Sequence, residues 1–244
     1  MCTVLLLIRP DHVWPLLLAA NRDERLDRPW DAPAAWWPER PGVVAGRDRL
    51  ADGTWMGVNR AGVVATVLNR PGALGPAPGK QTRGILPLLA LEHATAGAAA
   101  ATVARLDAAD WRPFNMVIAD RGQALFVRGT GRGRPEVLPM TAGAVHMVTS
   151  HDPDDRTSPR VARHLPRFRA APVPEPGALP GWGSWRALLA DTGGAAPEQI
   201  SIPPRDGYGT ASAALLALHR SGAPEWWFAA GPPGEDAFRP LILA

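Results

Sequence analysis

The residue with the clearest chemical potential is Cys2, which follows the initiator Met1 and is the only cysteine in this chain of 244 residues. Because an initiator methionine is normally removed before a small side chain, we predict that the mature chain begins with Cys2. Its thiol would then share one residue with a free α-amino group, whose pKa of ~7.7–8.0 suits it to accept a proton near neutral pH. That combination is typical of catalysis by an N-terminal nucleophile. The structural alternative is that Cys2 is a small apolar residue at the start of a buried strand.

Further chemically active side chains are predicted at the ends of three strands, where loops usually carry function. They form the clusters Asn21-Arg22-Asp23-Glu24, Asn69-Arg70 and Thr149-Ser150-His151. If these strands share one sheet edge with the first strand, the clusters and the cysteine make a single site. Each cluster also has a structural interpretation: a salt bridge in the first, a turn before a proline in the second, and an exposed loop histidine in the third.

The elements that must position these groups are strands interrupted by helical regions. Apolar runs predict a hairpin over residues 3–9 and 13–20, whereas residues 29–41, rich in proline and tryptophan, predict a loop. Helical spacing over residues 84–106 predicts a helix in two pieces that is broken near Gly97. Ser158-Pro159 predicts the start of another helix. This order favours a layered α+β fold in a single domain over residues 1–244.

Composition and charge exclude several classes of function. The net charge is only +3 and no basic stripe is interleaved with aromatic residues, so we predict no nucleic-acid partner. Arg9 interrupts the first apolar run, and no apolar stretch approaches the ~20 residues of a membrane helix. We therefore predict a cytoplasmic protein without a signal peptide or a membrane span. A single cysteine and the absence of ligands at a recognisable spacing predict no disulfide framework and no metal site. The sequence sets no oligomeric state.

Short motifs spread in order over nearly the whole chain match a known pattern. They are Met1-Cys2-Thr3, Asn21-Arg22-Asp23-Glu24, Gly46-Arg47-Asp48, residues 53–59, residues 62–69, Thr82-Arg83-Gly84, Phe114-Asn115-Met116, Ser158-Pro159-Arg160 and Tyr208-Gly209-Thr210. On these residues the chain resembles the NRDE family, the Transport and Golgi organisation protein 2-like proteins.

The same pattern is similar to that of the N-terminal nucleophile (Ntn) hydrolases of the penicillin acylase and bile-salt hydrolase kind. This similarity implies an α+β fold in the form of a four-layer αββα sandwich of Ntn-hydrolase type. It implies that Cys2 is the nucleophile, that Asp23 orients the amine of the nucleophile, and that Asn69 donates a hydrogen bond to the oxyanion. Such a donor is typically worth ~2.7–4 kcal/mol of transition-state stabilisation.

The chain departs from the hydrolase pattern in the groups that surround these three residues. Arg22 offers a guanidinium but is displaced from the usual arginine position, which is Ala20 here. Ser150 stands where a second asparagine is expected, and Ala211 stands where many relatives carry a basic residue. Arg22 and Ser150 nevertheless join the candidate catalytic residues. The candidate substrate-binding residues are Asn21, Glu24, Arg70 and His151.

Two classes of function follow from the resemblance. The first is an Ntn-type thiol hydrolase that cleaves a non-peptide amide or ester of a small-molecule substrate, without a cofactor. The alternative is a non-catalytic protein that binds and traffics haem or an acyl-CoA-like lipid on the same scaffold. In that case Cys2 or a histidine could be an axial ligand of haem, and Arg22, Arg70 or His151 could bind propionates or phosphates at the rim of an apolar cleft.

Overall fold

Strands predominate in the computed structural model, which describes residues 2–234 and 236–242. The strands are β1 (Thr3–Ile8), β2 (Leu16–Arg25), β3 (Trp30–Ala34), β4 (Val43–Asp48), β5 (Met56–Asn59), β6 (Val64–Asn69), β7 (Phe114–Ala119), β8 (Ala124–Gly129), β9 (Glu136–Pro139), β10 (Val145–Val148), β11 (Tyr208–Leu218), β12 (Glu225–Ala229) and β13 (Arg239–Pro240). The α-helices are α1 (Ile85–Ala90), α2 (Ala96–Ala104), α3 (Pro159–Ala170) and α4 (Gly183–Leu189). Among the described residues, none of the helices is long and apolar enough to cross a membrane.

The chain folds into two compact units. Among the described residues, the terminal unit is built from residues 2–28 and from residue 143 to residue 242, and the central unit is the continuous stretch Pro29–Ala142. Each unit contains one antiparallel sheet. The strand order is β10-β1-β2-β11-β12-β13 in the terminal unit and β3-β4-β5-β6-β7-β8-β9 in the central unit. The single domain predicted over residues 1–244 stays a prediction.

The terminal sheet buries one face under helices α3 and α4. Side chains alternate between the two faces of a strand, so the odd-numbered residues of β1 and β2 share a face. Leu5 and Leu17 on that face pack with Phe168 of α3 and with Trp182 and Trp185. The pairing of β1 with β2 confirms the predicted hairpin and aligns Thr3 with Asn21. This register decides which polar groups lie beside Cys2.

The central sheet is a meander in which consecutive strands pair in chain order. Helices α1 and α2 cover one of its faces, where Leu86 and Ala99 pack with Phe114 and Met116 of β7. The antiparallel pairing of β6 with β7 aligns Asn69 with Phe114 at the end of the ladder. The second predicted polar cluster therefore lies at an end of this sheet.

The predicted loop over residues 29–41 is wrong for its first part, which forms β3. This strand lies at the edge of its sheet, and its register with β4 shifts between Asp31 and Ala34. An edge strand needs backbone hydrogen bonds on only one side, so it tolerates Pro33, which has no N–H to donate. Proline argues against a central strand, whereas here the strand is peripheral.

The predicted break near Gly97 is also misplaced, because Gly97 lies inside α2. The chain leaves the helix after α1 instead, and the side chain of Thr95 caps the start of α2 by accepting from the Ala98 N–H. The Asn59 amide stabilises the connection by donating to the carbonyls of Leu91 and His93, each at 2.7 Å. Side-chain hydrogen bonds, and not glycine flexibility, set this boundary.

His164 lies fully buried on the inner side of α3. Its Nε2 is 2.8 Å from the Glu198 carbonyl oxygen, so this nitrogen carries the ring proton, and Nδ1 accepts from Arg167 at 3.3 Å. Burial is the main cause that lowers the pKa of His164 to about 4, and the charge of Arg167 also lowers it. The histidine is therefore neutral in the folded protein over most of the acidic range.

We expect His164 to make the protein less stable in mild acid. The unfolded chain takes up this proton below pH ~6.5, whereas the folded protein takes it up only near pH 4. Its contribution to stability is complete above pH ~6.5 and is lost as the pH falls towards 4. When the pH falls from ~7 to ~5, the free energy of unfolding should decrease by roughly 2 kcal/mol more in the wild type than in His164→Gln. The glutamine can donate a hydrogen bond to the Glu198 carbonyl but does not titrate. Urea unfolding at both pH values measures this, and an equal loss in the two proteins would contradict it.

Candidate active site

Cys2 lies immediately before β1, which is an inner strand of the terminal sheet with β10 on one side and β2 on the other. Continuing the pairing of Thr3 with Asn21 by one residue places Cys2 opposite Arg22. The Cys2 side chain is partly accessible to solvent. Its Sγ donates a hydrogen bond to the backbone carbonyl of Asp23 at 3.6 Å. The thiol is thus held at one end of the sheet, next to the polar cluster of β2.

The surroundings of Cys2 act against the thiolate. Burial raises the pKa of the Cys2 thiol above its usual value, and the negative charge of Asp23 raises it further. The guanidinium of Arg22 has the opposite effect on this pKa. At neutral pH the thiol therefore holds its proton, and a nucleophilic attack by sulfur needs a base within reach.

Asp23 is the centre of a buried network on the helix side of the sheet. Its Oδ2 accepts from the NH1 group of Arg160 at 2.9 Å, and the two side chains are 0% and 2% exposed. The same NH1 group donates to Oγ1 of Thr3 at 2.8 Å. The other carboxylate oxygen, Oδ1, accepts from the hydroxyl of Thr210 at 2.7 Å. Both oxygens of Asp23 are therefore held in fixed positions.

Strand β11 supplies two further partners of Asp23, Thr210 and Tyr208. The Ile202 N–H donates to Oγ1 of Thr210 at 2.8 Å, which directs the hydroxyl hydrogen of Thr210 towards Asp23. The hydroxyl of Tyr208 donates to the Asp23 carbonyl at 3.1 Å, so this oxygen accepts from Tyr208 and from Cys2. Between Thr210 and Ser212 the register of β11 shifts, and Ala211 occupies this bulge. The alanine that replaces the expected basic residue thus lies in an irregular part of the strand.

Sequence reasoning missed Arg160, Thr210 and Tyr208 as members of the site. Their signal was present, because Ser158-Pro159-Arg160 and Tyr208-Gly209-Thr210 are two of the motifs that carry the family resemblance. The motifs alone do not assign a role to these three residues, because the sequence does not show which carboxylate they contact.

The cluster Asn21-Arg22-Asp23-Glu24 lies within β2 and not after its end, because β11 pairs with the strand as far as Arg25. The alternation of side chains divides the cluster between the two faces. Asn21 is on the helix side with Asp23, where its amide donates to the carbonyls of Leu189 and Ile200, each at 2.9 Å. These contacts are structural, and the substrate-binding role of Asn21 stays a prediction.

Arg22 and Glu24 are on the opposite face of β2, which is the face of Cys2. Arg22 is buried, and its NH2 group lies 4.0 Å from Oε2 of Glu24, whose side chain is more exposed. The charge of Arg22 reaches the Cys2 thiol, as its effect on the pKa shows. The predicted roles of the two residues stay predictions, but the structure brings both to the side of the sheet that holds the nucleophile candidate.

Ser150 and His151 follow β10, the other neighbour of β1. Val148 pairs with Val4, so the chain after β10 runs towards the Cys2 end of the sheet. Ser150 is buried, and its Oγ lies 3.2 Å from Nδ1 of His151. The structure thus gathers Cys2, the β2 cluster, Ser150 and His151 at one end of the terminal sheet.

Asn69 and Arg70 belong to the central unit. Asn69 is the last residue of β6, and within the described part of the chain its side-chain amide makes no hydrogen bond. Arg70 donates from NH1 to Oδ1 of Asn115 at 2.5 Å. Their predicted roles, in the oxyanion hole and in substrate binding, stay predictions. Among the described residues, no three or more His, Cys, Asp or Glu side chains come together to hold a metal ion.

Comparison with known families and proteins gives one family match. The family described as Transport and Golgi organisation 2 matches residues 1–171, and this confirms the predicted resemblance. No curated protein sequence matches the chain significantly.

Several solved structures with the same fold are proteins of the Ntn-hydrolase fold. The C2A mutant of conjugated bile acid hydrolase from Clostridium perfringens superposes with a TM-score of 0.56 at 14% identity, over 100% of this chain and 92% of the hydrolase. The Caenorhabditis elegans orthologue of N-acylethanolamine-hydrolyzing acid amidase gives 0.57 at 12% identity, over 97% and 95% of the two chains. Penicillin V acylase from Agrobacterium tumefaciens gives 0.53 at 14% identity, over 94% and 83%. These likenesses confirm the predicted fold class.

Proposed function

Because the chain belongs to the Transport and Golgi organisation 2 family and has the Ntn-hydrolase fold, we propose that it is a thiol hydrolase with Cys2 as its nucleophile. One observation carries this proposal: the Cys2 thiol lies at the end of an inner strand and is hydrogen-bonded to the carbonyl of Asp23, whose own side chain is fixed by a buried network. The substrate class is a small molecule with a non-peptide amide or ester bond. The similar proteins named above are an amidase, an acylase and a hydrolase of conjugated bile acids.

The first chemical step forms a thioester. The α-amine of Cys2, free after removal of Met1, accepts the thiol proton while Sγ attacks the carbonyl carbon of the substrate. The carbonyl π electrons move to oxygen, which becomes the oxyanion. The resulting ammonium group then gives its proton to the leaving amine or alcohol as the C–N or C–O bond breaks. Met1 lies outside the described residues, and its removal stays a prediction.

The second step releases the acid. A water molecule gives a proton to the α-amine and attacks the thioester carbonyl, and the C–S bond then breaks with return of the proton to sulfur. The amine is therefore the base in both steps. Since the thiol is protonated at neutral pH, this internal base replaces the histidine of other thiol enzymes.

The other candidate residues are assigned the roles that the similarity to Ntn hydrolases implies. Asp23 holds the Cys2 amine, and Arg22 supplies a guanidinium whose charge acts on the Cys2 thiol. Glu24, on the Cys2 face of β2, contacts the polar part of the substrate together with Asn21. Asn69 and a backbone N–H donate to the oxyanion, with the shorter hydroxyl of Ser150 as a further donor. Arg70 and His151 are assigned to the rim of the substrate site.

Asn69→Ala is expected to lower kcat by about 10²–10³-fold, because it removes a donor that is strongest in the transition state. The alkylation rate of Cys2 should not change, since alkylation forms no oxyanion. Steady-state kinetics measures kcat, and Ser150→Ala in parallel measures the share of the serine hydroxyl. An Asn69→Ala enzyme with the wild-type kcat would show that the oxyanion donor is elsewhere.

A panel of acyl amides, esters and thioesters of increasing acyl length tests the proposed activity. We expect turnover of the amides or esters, and a ping-pong pattern or an acyl burst where deacylation is slower than acylation. Absence of turnover across the panel by a protein shown to begin with Cys2 would count against the hydrolase function.

The predicted alternative is a carrier of haem or of an acyl-CoA-like ligand. It is tested in the same samples, by titration with haem followed at the Soret band. Saturable, stoichiometric binding together with slow alkylation of Cys2 would favour the carrier. Rapid alkylation without saturable haem binding would favour the hydrolase.

A further inference from the structure

Arg160 is a buried charge to which the proposed reaction gives no role except to hold the Asp23 side chain. It is the second residue of α3, and it reaches the sheet from the helix layer of the terminal unit. Burial of a guanidinium is costly unless its charge is compensated, and Asp23 compensates it here at 2.9 Å. A purely structural tie between helix and sheet would account for the ion pair alone.

The contacts of Arg160 go further than one ion pair. Its NH1 group bridges Oδ2 of Asp23 and Oγ1 of Thr3. Thr3 is the residue directly after Cys2. The backbone carbonyl of Asp23 accepts a hydrogen bond from the Cys2 thiol. A single nitrogen of Arg160 therefore holds both strands at the points where they flank the nucleophile.

We propose that Arg160 is a positioning residue whose positive charge offsets the negative charge of Asp23 at the Cys2 thiol, and so lowers the proton affinity of Cys2. The inference rests on the proposed function in so far as a reactive Cys2 is useful only to a thiol enzyme. Asp23 alone opposes the thiolate, because two negative charges would then lie close together. With Arg160 in place the buried pair has almost no net charge, and the thiol loses its proton more readily.

Other charged and titratable groups also lie at the Cys2 end of the terminal sheet, so the contribution of Arg160 must be isolated by comparison. They are Arg22, Asp23 and Glu24 of β2, Tyr208 of β11 and His151 after β10. All of them stay unchanged in a comparison between Arg160→Gln and Arg160→Lys. The first substitution removes the charge and the second keeps it.

The pH dependence of Cys2 alkylation by iodoacetamide, followed by intact mass, tests the inference. The signal is unambiguous because Cys2 is the only cysteine of the chain. We expect the midpoint of the plot of alkylation rate against pH to rise by about one pH unit in Arg160→Gln. The midpoint for Arg160→Lys should stay within about 0.3 pH units of the wild-type midpoint. A folded Arg160→Gln protein with the wild-type midpoint would overturn the inference, and so would an equal rise in Arg160→Lys.

A second pair of variants keeps the test decisive if Arg160→Gln does not fold. In the Asp23→Asn background, loss of Arg160 no longer leaves a buried carboxylate uncompensated, but it still removes a positive charge that favours the Cys2 thiolate. We expect the midpoint of the double variant to lie about one pH unit above that of Asp23→Asn. Equal midpoints would overturn the inference.

Alkylation needs no turnover, so this result is separate from the test of the proposed function. A wild type that hydrolyses nothing, but whose alkylation midpoint depends on Arg160, would refute the hydrolase and leave the positioning role standing. An active wild type with an alkylation midpoint that is independent of Arg160 would do the reverse.

Discussion

Cys2→Ala is expected to abolish hydrolysis, with a loss of at least about 10⁴-fold in kcat. The substitution removes the sulfur atom that attacks the carbonyl. The variant keeps its free α-amine, which serves as the base in the mechanism and does not replace the sulfur as the nucleophile. Cys2 is partly exposed and tolerates a smaller side chain, so the variant should fold with little loss of stability. Steady-state turnover of the best substrate in the panel, with circular dichroism to verify folding, measures the effect.

Cys2→Ser is the matched control for this prediction. A serine hydroxyl preserves the size of the side chain and its hydrogen bond to Asp23, but it is a much weaker nucleophile without a strong base. We expect residual activity between those of the wild type and Cys2→Ala. Equal turnover by wild type and Cys2→Ala would remove the thiol from the mechanism.

Breaking the Asp23–Arg160 pair is expected to cause the largest loss of stability. Both side chains are almost completely buried, so either single variant leaves an uncompensated charge in the interior. Asp23→Asn and Arg160→Gln should each lower the free energy of unfolding by about 3–5 kcal/mol. Urea unfolding at neutral pH measures the loss, provided that the m-value is the same in the wild type and the variants.

The double variant Asp23→Asn/Arg160→Gln distinguishes this pair from two independent contacts. The double variant removes both charges together. Its loss in free energy of unfolding should therefore be smaller than the sum of the two single losses, by a coupling energy of about 1–3 kcal/mol. Additive losses would show that the two side chains contribute separately. The double variant should still lack hydrolase activity, because Asp23 no longer holds the amine of Cys2.

The strands around Cys2 could be predicted because their signals are local. The first apolar run is interrupted at Arg9 and Pro10 and is followed by a second apolar run. This pattern predicts a hairpin from local sequence alone. Its register follows from the pairing of Thr3 with Asn21. The polar cluster of β2 was recognised for the same reason, although pairing with β11 extends the strand through residues of low β-propensity.

The network behind Cys2 could not be predicted, because it depends on contacts that are distant in sequence. Arg160 meets Asp23 across 137 residues, and Thr210 meets it across 187. A lone arginine near a helix start is normally expected at the surface. Only the packing of α3 against the sheet brings it to the carboxylate.

The role of Asn21 shows what alternation adds to a motif. Four consecutive polar residues suggest one site, but in a strand they point to two faces. Asn21 and Asp23 therefore lie towards the helices, whereas Arg22 and Glu24 share the face of Cys2. Because β2 extends to Arg25, the motif is divided between the two faces of the sheet and does not form one continuous polar surface.

The central claim is that a processed, N-terminal Cys2 forms the acyl-enzyme, and intact mass after rapid acid quench tests it most directly. The protein is mixed with an activated acyl ester, quenched within one turnover, and mapped by peptide digestion. A version that keeps one additional residue before Cys2 is the control, because its thiol is intact but its amine is blocked. We predict that the wild type lacks Met1 and carries one acyl group on Cys2, and that the blocked version is not acylated at a comparable rate. Full activity with Met1 retained, or an acyl group on any other residue, would contradict the account.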